Sequence, residues 1–333
     1  MKERNFLIDN AKGILIFLVV LGHSLELIRN DTDIGKMVYI FIYQFHMPVF
    51  IYFSGYVSKN VEKGRKNAVK NFLVPFLVLN IVWSVFRLLS VFFVGNATLS
   101  GGLLYSLLTP AWTLWYVLAL FIWKILLPDL SKIKKIMLWS LIMGIGAGLF
   151  TEFRDYLSLS RIIKFTPFFM LGFFSHGQTM IPKIKQVKLI SLGIILFTLL
   201  YSLFFFYAGL PVELLWWDRS YIAAGITEPM MGLGLSIGSY IIGFLWIFVF
   251  QSLVSSKKSV LSKIGKNTLS VYFLHTYFIG LFFYLMTFVH QNELKLILAL
   301  ASSLLLTYVF SRDSINNWII KIIHKINVVV FIE

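Results

Sequence analysis

Lys12 and His23 enclose ten residues, Gly13 to Gly22, that are all apolar or glycine. On a helix, eleven steps of about 100° return His23 to within roughly 20° of the Lys12 face, about 16 Å along the axis. Glu26 follows one turn later on the same face, where a carboxylate can orient an imidazole or stabilise its cation. A second imidazole, His46, stands in Gln44-Phe45-His46-Met47-Pro48, and a fixed cation, Arg87, lies in a further apolar stretch. Ionisable groups in hydrocarbon cost several kcal/mol unless they face a partner or a wet cavity. If these residues share one cavity, it combines a titratable base, a second imidazole and a permanent positive charge.

The segments that must position them are membrane spans. The chain of 333 residues is 58% hydrophobic, holds 33 Phe and has only 14% charged residues, with a mean hydropathy of +0.82. That composition cannot cover a water-soluble globule and points to an all-α integral membrane protein. Apolar windows place ten transmembrane helices near 6–28, 38–57, 72–94, 112–127, 136–150, 162–176, 189–208, 232–254, 268–289 and 294–311. The chain therefore divides into a single transmembrane domain, 1–311, and a basic amphipathic tail, 312–333, on the inner surface. No internal repeat is visible.

The net charge of +15 would suggest a nucleic-acid partner in a soluble protein. Sorted by loop, twenty basic residues fall on the side of the two termini and seven on the other. The bias is a topology signal that puts both termini in the cytoplasm of a multi-pass plasma-membrane protein, and no nucleic acid is expected. Zero Cys excludes disulfides and thiolate metal sites, and no metal is expected. The first span is read as retained rather than as a cleaved leader, because His23 and Glu26 load it and no small-x-small pattern follows.

On this topology His23, His46 and Arg87 lie at one depth in the outer half of the bilayer. Pro48 should kink the second span and free a carbonyl near Gln44 and Phe45, opening a polar notch beside His46. Bland roles stay open: His46 as a helix-to-helix hydrogen bonder, Arg87 as a snorkelling cation, and Trp112, Trp115 and Tyr116 as belt aromatics. The tryptophans of the outer loop 209–231 could anchor at the interface or close over a substrate.

The ordered motifs Lys12-x10-His23-Ser24, Phe45-His46-Met47-Pro48-x-Phe50-x-x-Ser54-Gly55, Trp112-x-x-Trp115-Tyr116, Lys164-x-x-Pro167-Phe168-Phe169-x-Leu171-Gly172 and Ser270-x-Tyr272-x-x-His275 resemble the membrane acyltransferase-3 family. Within it the chain is most similar to the fucose 4-O-acetylase-like branch, from residue 5 to about 310. The resemblance implies a ten-helix core that moves an acyl group, usually acetyl, from cytoplasmic acyl-CoA to a hydroxyl of a surface or lipid-linked sugar. The expected partners are thus acyl-CoA, with acetyl-CoA first, a glycan or glycolipid acceptor, and membrane lipids; the oligomeric state is left open. His23 matches the histidine regarded as catalytic. Lys12 matches a position commonly filled by Arg, so a hold on the CoA phosphates is implied without the bidentate fork. Some members carry a further esterase-like domain; without one, this chain must deliver acyl directly or hand it on.

In that chemistry His23 is the general base, oriented by Glu26, and Arg87, Gln44 or His46 would supply oxyanion donors. His275, eight residues into its span, would line the donor entrance, and Gln44, Trp112 and Trp115 would contact the acceptor. A multi-helix transporter, related to the uptake domain of certain membrane racemases, or a non-catalytic polysaccharide-export component is the alternative.

Overall fold

The computed structural model describes residues 4–94, 110, 113–151, 156–176 and 186–331, without the side chains of 86–94, 156 and 283. Trp112 and the side chain of Arg87 therefore lie outside the described residues. Among these residues the structure is helical, with no strand. In chain order the helices are α1 Phe6–Glu26, α2 Asp33–Tyr43, α3 His46–Tyr56, α4 Val61–Lys66, α5 Val74–Val94, α6 Trp115–Leu130, α7 Ile136–Gly146, α8 Leu159–Phe174, α9 Val187–Tyr207, α10 Pro229–Leu253, α11 Val260–Lys266, α12 Thr268–Met286, α13 Asn292–Phe310 and α14 Asp313–Val330.

Six described helical segments are long and apolar enough to cross a membrane: Phe6–Glu26, Asp33–Tyr56, Val187–Tyr207, Pro229–Leu253, Thr268–Met286 and Asn292–Phe310. Val69–Val85 and Ile136–Leu149 are shorter apolar helices. Each of the ten sequence windows contains a helix, and α6, α7 and α8 are shorter than the six spanning segments.

Where a kink is expected from Pro48, the second window is divided into two helices. α2 ends at Tyr43 and α3 begins at His46, with Gln44 and Phe45 as the joint. Pro48 has no N–H for the Gln44 carbonyl, so the ladder cannot run through. The Phe45 ring stacks on Trp246 of α10 at 3.5 Å and 4°, which fixes the angle of the joint. Trp246 is itself tied by its indole N–H to Thr198 Oγ1 on α9, 2.8 Å.

Two close helix crossings organise the bundle. α3 and α8 meet at Gly55 and Gly172: a Cβ on Gly55 would lie 2.0 Å from the Phe169 carbonyl oxygen, and one on Gly172 1.9 Å from that of Tyr52. α1 and α11 meet similarly, with a Gly265 Cβ 1.7 Å from the Asp9 carbonyl oxygen. Without a hydrophobic drive between helices in lipid, such backbone approach is what gains dispersion energy. α1 is held further by Ser303 of α13, whose hydroxyl donates to Ser24 Oγ at 3.0 Å. α14 packs across α12 and α5, burying Asn316 and Ile319.

Candidate active site

α1 carries His23 and Glu26 toward its C-terminal end, and the pair forms as the spacing requires. His23 Nδ1 lies 3.2 Å from Glu26 Oε2. A carboxylate only accepts, so Nδ1 carries the hydrogen and Nε2 is the basic nitrogen. Glu26 is held in turn by the Tyr43 hydroxyl of α2, which donates to the same Oε2 at 3.3 Å. Tyr43 was invisible at the level of composition, because a tyrosine in an apolar run counts as hydrophobic. Its ring meets His46 at 4.8 Å, so His23, Glu26, Tyr43 and His46 are one contiguous group.

His46 Nδ1 lies 2.9 Å from the Ile42 carbonyl, which at the helix break also accepts from the Phe45 N–H at 3.2 Å. This too fixes the hydrogen on Nδ1 and leaves Nε2 as an acceptor in the neutral ring. A neutral His46 therefore cannot donate to an oxyanion. Gln44, fully buried, is better suited: neither its Nε2 nor its Oε1 has a hydrogen-bond partner, and an amide left so in a core is costly unless a ligand completes it.

The largest difference from the sequence expectation concerns His275. Counting residues from the membrane surface sets it near the donor entrance, yet its ring lies 5.6 Å from that of His23. The reason is the α1–α11 crossing. Gly265 sits against Asp9, in the first turn of α1, and Leu261 against Gly13, so α11 lies along the start of α1 and α12 begins beside it. His275 is fully buried. Its Nδ1 is shared between the carbonyls of Val271, 3.0 Å, and Tyr272, 2.8 Å, and its Nε2 is buried without a partner. Three imidazoles thus have Nδ1 tied down and Nε2 as the nitrogen of choice for chemistry.

Trp115 and Tyr116 open α6 but are no surface belt. Both are buried; Trp115 stacks on Phe165 at 5.3 Å beneath the Arg161 guanidinium, 5.1 Å from its ring. Lys12 is partly buried at the other end of α1, one turn from Asp9, which pairs with Arg4. Among the described residues no group of three or more His, Asp or Glu could hold a metal ion.

The segment 208–228 folds over the Tyr39–Tyr43 side of this group. The Trp216 indole donates to Tyr39 Oη, 2.6 Å, and Tyr39 stacks on Tyr43 at 4.0 Å. Arg161 donates to the Trp216 carbonyl, 3.0 Å, and to Asp218, 3.3 Å; Lys164 donates to the Arg219 carbonyl, 2.6 Å. Burial pushes the Asp218 carboxyl up, but the bond from Arg219 and the charges of Arg161, Arg219 and Lys164 outweigh it and hold the carboxyl below its ordinary value. Trp216 and Trp217 are therefore parts of a pinned cover rather than lipid anchors.

A family model described as "Acyltransferase domain" matches residues 5–312, nearly the whole chain. The chain belongs to acyltransferase family 3. Among curated proteins, this family member is 33% identical over 182 residues to "Nodulation protein NolL" of Mesorhizobium japonicum, and 34% identical over 182 residues to the protein of that name in Sinorhizobium fredii. Each alignment covers 51% of this chain and 48% of the relative, so the chain spans about half the length of these relatives. It is 22% identical over 322 residues, 85% of the chain and 82% of the relative, to "Inner membrane protein YcfT" of Escherichia coli K12. No solved structure matches. The family match carries an acyltransferase domain, and the apolar helices make the chain a multi-pass membrane protein.

Proposed function

We propose that this protein is a membrane O-acyltransferase that moves an acyl group, acetyl foremost, from cytoplasmic acyl-CoA to a hydroxyl of a cell-surface or lipid-linked sugar. The observation that carries the reading is the His23–Glu26 pair beside His275, whose buried Nε2 has no partner, in a chain of the acyltransferase family. We read it with ten spans, 1–311 as one catalytic domain, and both termini cytoplasmic.

A sugar hydroxyl is a poor nucleophile at neutral pH. His23 Nε2 takes its proton as the oxygen attacks the thioester carbonyl, while Glu26 stabilises the imidazolium through Nδ1–H. The carbonyl becomes a tetrahedral oxyanion, for which the Gln44 amide is the donor present in the described core and Arg87 the charged candidate. Collapse breaks the C–S bond, and the proton on His23 passes to the departing thiolate. His275 Nε2 accepts a hydrogen bond from the sugar and turns the attacking hydroxyl toward His23. The pinned segment 208–228 excludes water, which would otherwise compete as acceptor.

Purified protein is to be incubated with labelled acetyl-CoA and cell-envelope glycans, and products identified by mass spectrometry. Wild type should yield an O-acetylated glycan and His23→Ala none; equal product from the two sinks the scheme. Uptake of a small molecule into vesicles with no dependence on acyl-CoA would favour a transporter instead.

A further inference from the structure

A buried polar seam runs from the end of the molecule opposite segment 208–228 up to His23. Lys124 of α6 donates from Nζ to Ser58 Oγ at 2.6 Å. Ser58 Oγ donates to the Ser54 carbonyl at 2.5 Å, and Ser54 Oγ stands 2.5 Å from the Tyr116 hydroxyl. The Tyr116 ring meets Tyr272 at 5.6 Å, Tyr272 meets His275 at 5.8 Å, and His275 faces His23 at 5.6 Å. Ser58, Tyr116, Tyr272 and His275 are all buried. Hydrogen bonds link the line from Lys124 to Tyr116; from Tyr116 to His23 the contacts are between rings, and the Tyr272 hydroxyl donates to the Thr113 carbonyl. Polar groups so placed in a membrane core are costly and are kept where they have a task.

The foot of the seam is cationic. Lys124 is partly buried and lies eight residues, about 12 Å, from Tyr116 on the same helix. Its bond is to a neutral hydroxyl, which leaves two of the three ammonium donors. The carboxylate nearest in sequence, Asp129, is engaged by Arg65 at 3.3 Å. The lysine stem passes Gly64 of α4, where a Cβ would stand 3.4 Å from its Cδ, so Lys124 lies beside the helix that carries Lys63, Arg65 and Lys66. Lys12, by contrast, has the Asp9 carboxylate one turn away on its own helix.

We propose that Lys124 binds a phosphate of the acyl donor, and that the donor's thin, amide-bearing arm follows Ser58, Ser54, Tyr116 and Tyr272 to present its thioester between His275 and His23. The inference rests on the acyl-CoA reading above and assigns the phosphate-binding end to α6 rather than to Lys12 of α1. The seam hydroxyls are engaged by backbone carbonyls, so the recognition lies in the ammonium, which keeps two donors for a charged phosphate.

The test compares acetyl-CoA with acetyl-pantetheine, which has the thioester arm and no phosphate. In Lys124→Gln, which keeps the reach to Ser58 but no charge, the KM for acetyl-CoA should rise about tenfold or more, as for loss of one charge-assisted bond. The KM for acetyl-pantetheine should not move, and Lys124→Arg should recover most of the loss. The nucleotide fragment 3′,5′-adenosine diphosphate should inhibit wild type and lose its hold on Lys124→Gln. Equal losses with both donors would mean a structural lysine and overturn the inference, as would a selective effect at Lys12→Gln with none at Lys124→Gln. Wild type that uses neither donor overturns the acyl-CoA reading and this inference together.

Discussion

The two ends of α1 both bury polar side chains, and they differ in how far those groups are satisfied. Near the start, Asn10 is fully engaged: its Nδ2 donates to the carbonyls of Ser255, 2.6 Å, and Lys257, 2.8 Å, and its Oδ1 accepts from Ser259 at 2.7 Å. Near the far end, His275 Nε2 and both amide atoms of Gln44 are buried and unpartnered. The first arrangement closes a loop onto a helix and leaves nothing over for a ligand. The second keeps hydrogen-bonding capacity in a dry place at a cost of about 1–3 kcal/mol per group, which is tolerated where a substrate completes it. In a membrane protein, polarity inside a span is therefore not by itself a sign of chemistry; unspent polarity is the sharper sign.

The comparison can be broken most severely at His275. Replacing it by Ala removes an unspent acceptor, so kcat should fall by about two orders of magnitude, in the range of a lost proton-handling or positioning group, with thermal stability unchanged or raised. A stability loss with unchanged kcat, measured by turnover and by thermal unfolding in detergent, would put His275 with Asn10 among the architectural residues.

Glu26 sharpens the same contrast, since it is a partner of the base and not the base. Glu26→Gln keeps a hydrogen bond to His23 but not the charge that steadies its cation. We expect kcat to drop by about one order of magnitude, a loss on the scale of one charged hydrogen bond, with the acceptor KM little changed. An unaltered kcat would mean that the 3.2 Å contact holds a helix end in place and nothing more.

Asn10→Ala should do the opposite. It strips three hydrogen bonds from the joint between α1 and the 255–259 segment and should cost about 1–3 kcal/mol of stability, while kcat per folded molecule stays at the wild-type value.

How much of this was legible in the sequence follows the same division. Depth was readable: apolar windows, basic loops and Pro48 placed the α2–α3 joint and the level of His23 and His46 correctly enough for Tyr43 to link them. Neighbourhood was not. His275 reaches His23 because Gly265 lets α11 seat against Asp9, a fact about a helix crossing with no periodic signature. Tyr43, Tyr116 and Tyr272 act through hydroxyls, yet in a hydropathy window they read as apolar. Asn10 was a polar residue in an apolar span and so carried a visible signal that the His23 argument did not use. The short helices α3 and α7 hold apolar composition without spanning length, so windows of composition and measured helices count differently.

The smallest effect concerns the cover rather than the site. Asp218 is a spent carboxylate, bonded by Arg219 at 2.7 and 2.9 Å and by Arg161 at 3.3 Å, and its carboxyl is held below its ordinary value. A group whose folded pKa is depressed contributes stability that is fully present above its unfolded pKa and is lost as pH falls through the folded one. The unfolded value is about 3.9, so acidification below about pH 4 should loosen segment 208–228 while neutral and alkaline pH leave it seated. Asp218→Asn should already be looser at neutral pH and should lack that acid-side step, as read from the fluorescence of Trp216 and Trp217 against pH. A wild-type transition near neutral pH would instead place the controlling proton on another group. A step retained in Asp218→Asn would place the acid-side proton on a group other than Asp218.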